Sequence, residues 1–151
     1  MEALKRLLGF KQTLIFEEKL TTLLLSLRNR AFGAETVFVT KSDGLVIAES
    51  HKGVPEDALM FSAVGAEIAE VSAVPIWRLL ERKTKFIIAI TDQETIGLAH
   101  LAHGLILGIV GNNFKISWLL RWLEKTSTKI NDLFDTTFYE LNAENQQKST
   151  S

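Results

Sequence analysis

The sequence predicts a single α/β domain of the α+β kind: a five-stranded, mostly antiparallel sheet between helices, in the order α-β-β-α-β-β-β-α. Three observations predict it. Two stretches, residues 12–30 and 114–134, repeat apolar residues at intervals of three and four, the mark of helices with one apolar side. Five short runs are rich in β-branched and aromatic residues and are separated by turn residues, as antiparallel strands are. Those runs are apolar on consecutive residues, so both faces of the sheet need cover, and helices on both faces supply it.

Residues 1–11 form an amphipathic segment of their own, with Met1, Leu4, Leu7 and Leu8 on one side of a helical wheel and Lys5 and Arg6 off it. The first long helix, residues 12–30, carries the stripe Phe16, Leu20, Leu23, Leu24, Leu27 and Ala31, and Gly33 ends it. Residues 36–40 (TVFVT) and 45–49 (LVIAE) follow as strands. Asp43 followed by Gly44 between them is a strong hairpin signal. A second helix starts at Pro55, with Glu56 and Asp57 suited to its positive end, and its pattern runs to about Lys83. Pro75 is expected to kink or break it, because its ring removes a backbone bond and crowds the preceding turn. Strands are expected at residues 85–91, 95–103 and 105–111. Asn112 and Asn113 are placed to cap a last helix, residues 114–134, whose stripe is Ile116, Leu119, Leu120, Leu123, Ser127, Ile130 and Phe134. The domain is therefore expected to span residues 12–134, with residues 135–151 a tail that is largely disordered at its polar end.

Bulk composition narrows the function. With 151 residues, 46% apolar and 23% charged, the chain has the material for one hydrophobic core. Its net charge of −1 lacks the basic excess of a nucleic-acid binder. It has no cysteine, which excludes disulfides, thiolate metal sites and a cysteine nucleophile. The longest apolar run, residues 104–111, is far short of the roughly 20 residues of a membrane span. The opening MEALKRLLGFK has charges among its leucines and no continuous apolar stretch, unlike a signal peptide. A cytoplasmic protein is expected, with no membrane span; weak peripheral contact through the basic N-terminal segment stays open.

The sequence offers no catalytic constellation, no cofactor motif and no metal set. Neither GxxxxGK[ST] nor GxGxxG occurs. Gly104, Gly108 and Gly111 sit in and around a strand, where close packing explains them better than phosphate binding does. His100 and His103, three apart on one expected strand, point to opposite faces and do not share a metal. His51 lies in a loop with no evident partner. Glu67 and Glu70 face the same way on the second helix and read as a solvated strip rather than an acid–base pair.

Interaction surfaces are more legible than chemistry. On the second helix, Met60, Phe61, Val64, Ile68, Val71 and Leu79 form a bulky face suited to packing on the sheet. Beside it, Ala58, Ser62, Gly65, Ala69, Ser72 and Ile76 form a stripe of mostly small residues. Such a stripe lets another backbone come close, either within the chain or as a helix–helix seam with a second copy, and the seam is the expectation. On the third helix, Trp118 and Trp122 lie opposite the leucine stripe, in line with Lys125 and Lys129. Two tryptophans on a polar side need cover. The terminal segments of the same chain, a protein partner and a membrane surface are the three candidates.

Taken together, the leucine-rich opening helix, the hairpin VFVTKSDGLVIAES, the alanine-rich helix DALMFSAVGAEIAEV and the closing ILGIVGNNFKISWLLRWL resemble the roadblock / dynein light chain family, over about residues 12–134. Pro75, Ile76 and Trp77 depart from the family pattern, which runs on to a turn and strand there. The resemblance implies a roadblock-like fold and a homodimer in which the second helices pair and two five-stranded sheets join edge to edge. It also implies a non-catalytic regulator or scaffold for a small Ras-like GTPase, like the bacterial polarity regulators that stimulate GTP hydrolysis in a partner without donating a catalytic residue. An exposed arginine such as Arg78, Arg82 or Arg121 is the one group able to act in trans as a finger. The alternative, from another class, is a small-molecule sensor domain, which needs a pocket between sheet and helix with converging polar groups.

Overall fold

The computed structural model describes residues 10–31 and 33–150, so nearly all of the N-terminal segment, residues 1–9, lies outside the described residues. The elements are α1 (Phe10–Arg30), β1 (Ala34–Lys41), β2 (Val46–His51), α2 (Pro55–Leu80), β3 (Phe86–Ile90), β4 (Thr95–His100), a 3-10 turn (Ala102–Gly104), β5 (Leu105–Gly111) and α3 (Ile116–Thr150). This is the predicted order. The five strands form one sheet, β2-β1-β5-β4-β3, and every neighbouring pair is antiparallel. The last strand thus enters at the centre, between β1 and β4.

Alternation along the strands sends residues to two cores. Val37, Val39, Ala99, Leu107 and Ile109 face α1 and α3, where they meet Phe16, Leu20, Leu24, Leu119, Leu123 and Phe134. The Phe16 and Phe134 rings meet edge-on at 5.2 Å. Phe38, Ile96, Leu98, Ile106 and Val110 face the other way, toward Ala66 and Ala69 of α2. The β1–β2 turn uses the Asp-Gly pair as expected: Gly44 takes φ 89°, its N–H donates to the Lys41 carbonyl, and the Leu45 N–H donates to Asp43 Oδ1.

The largest departures from the sequence reading are in α2, β4 and α3, while the ends of α1, β1, β2 and β3 shift by at most two residues. α2 runs unbroken through Pro75 and ends at Glu81, which adopts a left-handed conformation and donates its N–H to the Trp77 carbonyl. Proline costs the helix one bond, and the surrounding turns hold the element together. β4 stops at His100 instead of reaching residue 103, because His103 turns into the left-handed region (φ 61°) and stacks on Phe134 at 4.1 Å. α3 begins at Ile116 rather than residue 114 and continues to Thr150, so residues 135–150 are helix where a tail, largely disordered at its polar end, was expected. Thr137, 2% exposed, still contacts the core side and donates its hydroxyl to the Leu133 carbonyl, so packing carries the helix past Phe134.

By length and composition alone, α2 is also long and apolar enough to cross a membrane, although no continuous apolar run in the sequence suggests one. Its small residues lie flat on the sheet, so it is the second layer of this domain, and its remaining apolar side is a surface to be explained.

Candidate functional site

That surface is where sequence and structure part most instructively. Ala58, Ser62 and Ala69 are fully buried, and Gly65 is buried with them against the sheet of the same chain. The expected helix–helix seam is therefore the intramolecular face of α2, and Ala58, Ser62, Gly65 and Ala69 are not free to meet a second copy. The reason is the shape of the sheet beneath. Phe38 pairs across the strands with Gly108, and its ring fills the space above that glycine. A Cβ added to Gly65 would sit 2.8 Å from the same ring and 3.0 Å from Leu98. The large side chains are on the sheet, so the helix above must carry small ones. Ser72 and Ile76, farther along the stripe, are half-buried.

The bulky residues expected to pack on the sheet instead point largely outward. Met60 is 53%, Val64 42%, Val71 66% and Leu79 76% exposed, while Phe61 and Ile68 are half-buried flank residues on the core. Leu59, Val74, Trp77 and Leu80 add to the outward apolar surface. A surface of this extent is unusual on an isolated domain.

Beside this helix face the sheet has a bare edge. Among the described residues, β3 pairs only with β4, and its sequence FIIAI carries no lysine, proline or bulge to discourage pairing with another strand. Phe86, Ile87, Ile88 and Ala89 are half-buried and Ile90 is 69% exposed. The opposite edge, β2, is held by α1, where Arg28 Nε donates to Ser50 Oγ at 2.7 Å.

At the C-terminal end of α2 lies an open cavity of about 600 Å³, lined by Ala73, Trp77, Thr84, Lys85, His100 and Ala102 among others. His100 Nε2 and Thr84 Oγ1 are buried without a hydrogen-bond partner. Burial pushes the His100 imidazole below the ordinary histidine range, and the Glu70 carboxylate pulls it partly back. An unfolded chain then binds more protons at this position between the lowered folded pKa and the ordinary value, so stability falls as pH drops through that window. We expect the melting temperature to decline as pH falls below about 6.5, and His100→Gln to remove that part of the decline; an identical pH profile in the variant would assign the decline to other groups.

His103 stacks on Phe134 and does not meet His100, and among the described residues no cluster of three metal-ligating side chains occurs. His51 does have a partner: its Nδ1 is hydrogen-bonded to the Thr36 hydroxyl across the β1–β2 pair, which nothing in the local sequence signals. Glu67, Glu70, Arg78, Arg82 and Arg121 are all exposed. Trp122 is half-buried against the first core and meets Phe114 edge-on at 5.8 Å, so it does not lie on an open polar side. Trp118 is 49% exposed, with the Lys115 ammonium 5.0 Å from its ring centre. Lys125 and Lys129 join Trp122 along a groove between α1 and α3.

No family model matches the chain, and no curated protein matches it in sequence. Solved structures do. The chain is similar to Myxococcus xanthus MglB with a TM-score of 0.71 at 13% identity, covering 80% of this chain and 91% of that one. It is similar to a roadblock/LC7 domain from Streptomyces avermitilis with a TM-score of 0.68 at 14% identity, covering 76% and 96%. The gliding protein MglB from Thermus thermophilus gives 0.68 at 11% identity, covering 78% and 90%.

Proposed function

The chain has the roadblock fold, and on that premise we propose that it works as a homodimeric, non-catalytic regulator or scaffold for a small Ras-like GTPase. The observation that carries the dimer is the outward apolar face of α2 beside the unpaired edge of β3. One two-fold axis would bury both: the two helices pack together while two β3 strands pair and make a continuous sheet. The residues that meet the second copy are then Met60, Val64, Val71 and Val74, in place of the small stripe. Support for the GTPase comes from the family resemblance in the sequence and from the fold shared with the MglB structures.

Phosphoryl transfer depends chiefly on positioning and charge stabilisation, so a dimer that holds a GTPase's own residues in place accelerates hydrolysis without contributing a side chain. The test measures GTP turnover by the small GTPases encoded beside this chain's gene, with and without the dimer. Arg78→Ala, Arg82→Ala and Arg121→Ala should each leave the stimulated rate within about threefold of wild type, whereas a missing arginine finger costs about a thousandfold. A thousandfold loss at one arginine with binding intact would refute the non-catalytic assignment, and absence of binding to every such GTPase would refute the partner.

The cavity at Trp77 and His100 favours a second reading, a small-molecule sensor, because two buried polar atoms there lack partners. Native mass spectrometry of the purified protein separates the two: a retained small molecule lost on Trp77→Ala supports the sensor, and a ligand-free dimer supports the regulator.

A further inference from the structure

On the face of the sheet opposite α2, the helices α1 and α3 pack side by side over the first core and leave a groove of about 460 Å³ between them. Lys19 and Arg30 stand on its α1 wall, and Lys125 and Lys129 on its α3 wall. Among the described residues, no aspartate or glutamate lines it. All four cations are exposed, and among the described residues none lies within ion-pair distance of a carboxylate; the ion pair found there is Lys41 with Asp43, elsewhere in the fold. In a chain whose net charge is −1, this is a local concentration of one sign and not a reflection of composition. Half-buried Leu23 and Trp122 form an apolar part of the lining.

We propose that this groove docks an acidic segment of a partner protein, with carboxylates toward the two cationic walls and an apolar side chain against Leu23 and Trp122. The spacing suits a helix. Lys19, Thr22, Ser26 and Arg30 follow one another at three and four along α1, and Trp122, Lys125 and Lys129 do so along α3. The α1 strip is about 16 Å long at the rise of an α-helix, the length of three turns of a partner helix. Four like charges facing each other across a cleft repel until an anion enters, so charge steers association and sets partner choice, while the apolar contact holds the bound segment. The groove is concave, which fits an inserted segment better than a flat bilayer. A dimer formed through α2 leaves it open, so the proposal does not depend on the GTPase reading.

The test uses the full chain and a fluorescently labelled helical peptide of about 16 residues, with glutamates four apart and a leucine strip, followed by anisotropy at low salt. We expect saturable binding that weakens steeply with added salt and drops at least about tenfold when the glutamates are replaced by glutamine. Lys125→Glu with Lys129→Glu should likewise weaken it at least about tenfold at unchanged circular dichroism. Lys19→Gln with Lys125→Gln, which adds no charge, provides the same comparison should the reversal variant misfold. Failure of the peptide to bind at about millimolar concentration overturns the proposal. So does equal binding of the glutamine peptide or indifference to both variants. Capture of the chain by phosphatidylserine vesicles that depends on Lys125 and Lys129, and that the glutamate peptide cannot compete away, reassigns the groove to a lipid surface.

Discussion

Replacing Val64 and Val71 together with aspartate is expected to turn the proposed dimer into a folded monomer at roughly 20 µM protein, with the dissociation constant raised at least about a hundredfold. Both side chains are largely exposed on the single chain, 42% and 66%, so a monomer accommodates the carboxylates in water. In the proposed dimer the same positions flank Glu67 on the paired helix faces, where four further carboxylates must be crowded in beside the two glutamates or the seam abandoned. Light scattering reads the mass, and circular dichroism confirms that the monomer is folded. Leu45→Asp, at another exposed apolar position 48% accessible in the β1–β2 hairpin, should leave the dimer intact. A wild-type monomer at this concentration, or a double variant that stays dimeric, would place the apolar face of α2 in some other service.

The second large effect lies inside the chain. Phe38→Ala is expected to cost about 3–5 kcal/mol, because it empties the space between Gly65 above and Gly108 beside it, and a cavity walled by backbone cannot collapse. Gly65→Trp attacks the same contact from the other side: even a Cβ there meets the Phe38 ring at 2.8 Å, so α2 must lift from the sheet. Urea titration should show a low midpoint for the first variant and no native baseline for the second. A Gly65→Trp protein that is folded and monomeric would instead return the small stripe to the dimer seam.

These two predictions turn on the element that the sequence misleads about. The helices announce themselves through leucine spacing, and the first hairpin through Asp43 and Gly44, because those signals are local. Which side of α2 meets the sheet is not local. Large residues normally seek the core, and Met60, Val64 and Val71 suggest it, but the sheet surface is already occupied by Phe38 and Leu98. Interlayer packing needs the two surfaces to complement each other, and a single element shows only its half. One sequence signal did point the right way: Glu67, Glu70 and Arg78 fall among or beside the bulky residues, whereas the small stripe carries no charge. Weighing charge above size would have chosen the buried face correctly. The groove between α1 and α3 was half legible. Trp122, Lys125 and Lys129 stood out on their own helix, but Lys19 and Arg30 join them only through the packing of two elements nearly a hundred residues apart. The length of α3 was hidden for another reason: polar residues near its end read as a loose tail, although Glu, Gln, Lys and Ala are all good helix formers.

The placement of β5 between β1 and β4 has a consequence for how the protein is made. Until residues 105–111 are available, the β1–β2 pair and the β3–β4 pair have no strand to join them, and each lacks the native partner of one edge. The sheet closes when residues 105–111 emerge, and both cores form around that strand. Nascent chains therefore pass through an interval with open, apolar strand edges, the condition in which chains on neighbouring ribosomes pair wrongly. Folding is expected to be slower than that of a helical bundle of the same size, since its central contacts join residues far apart in sequence.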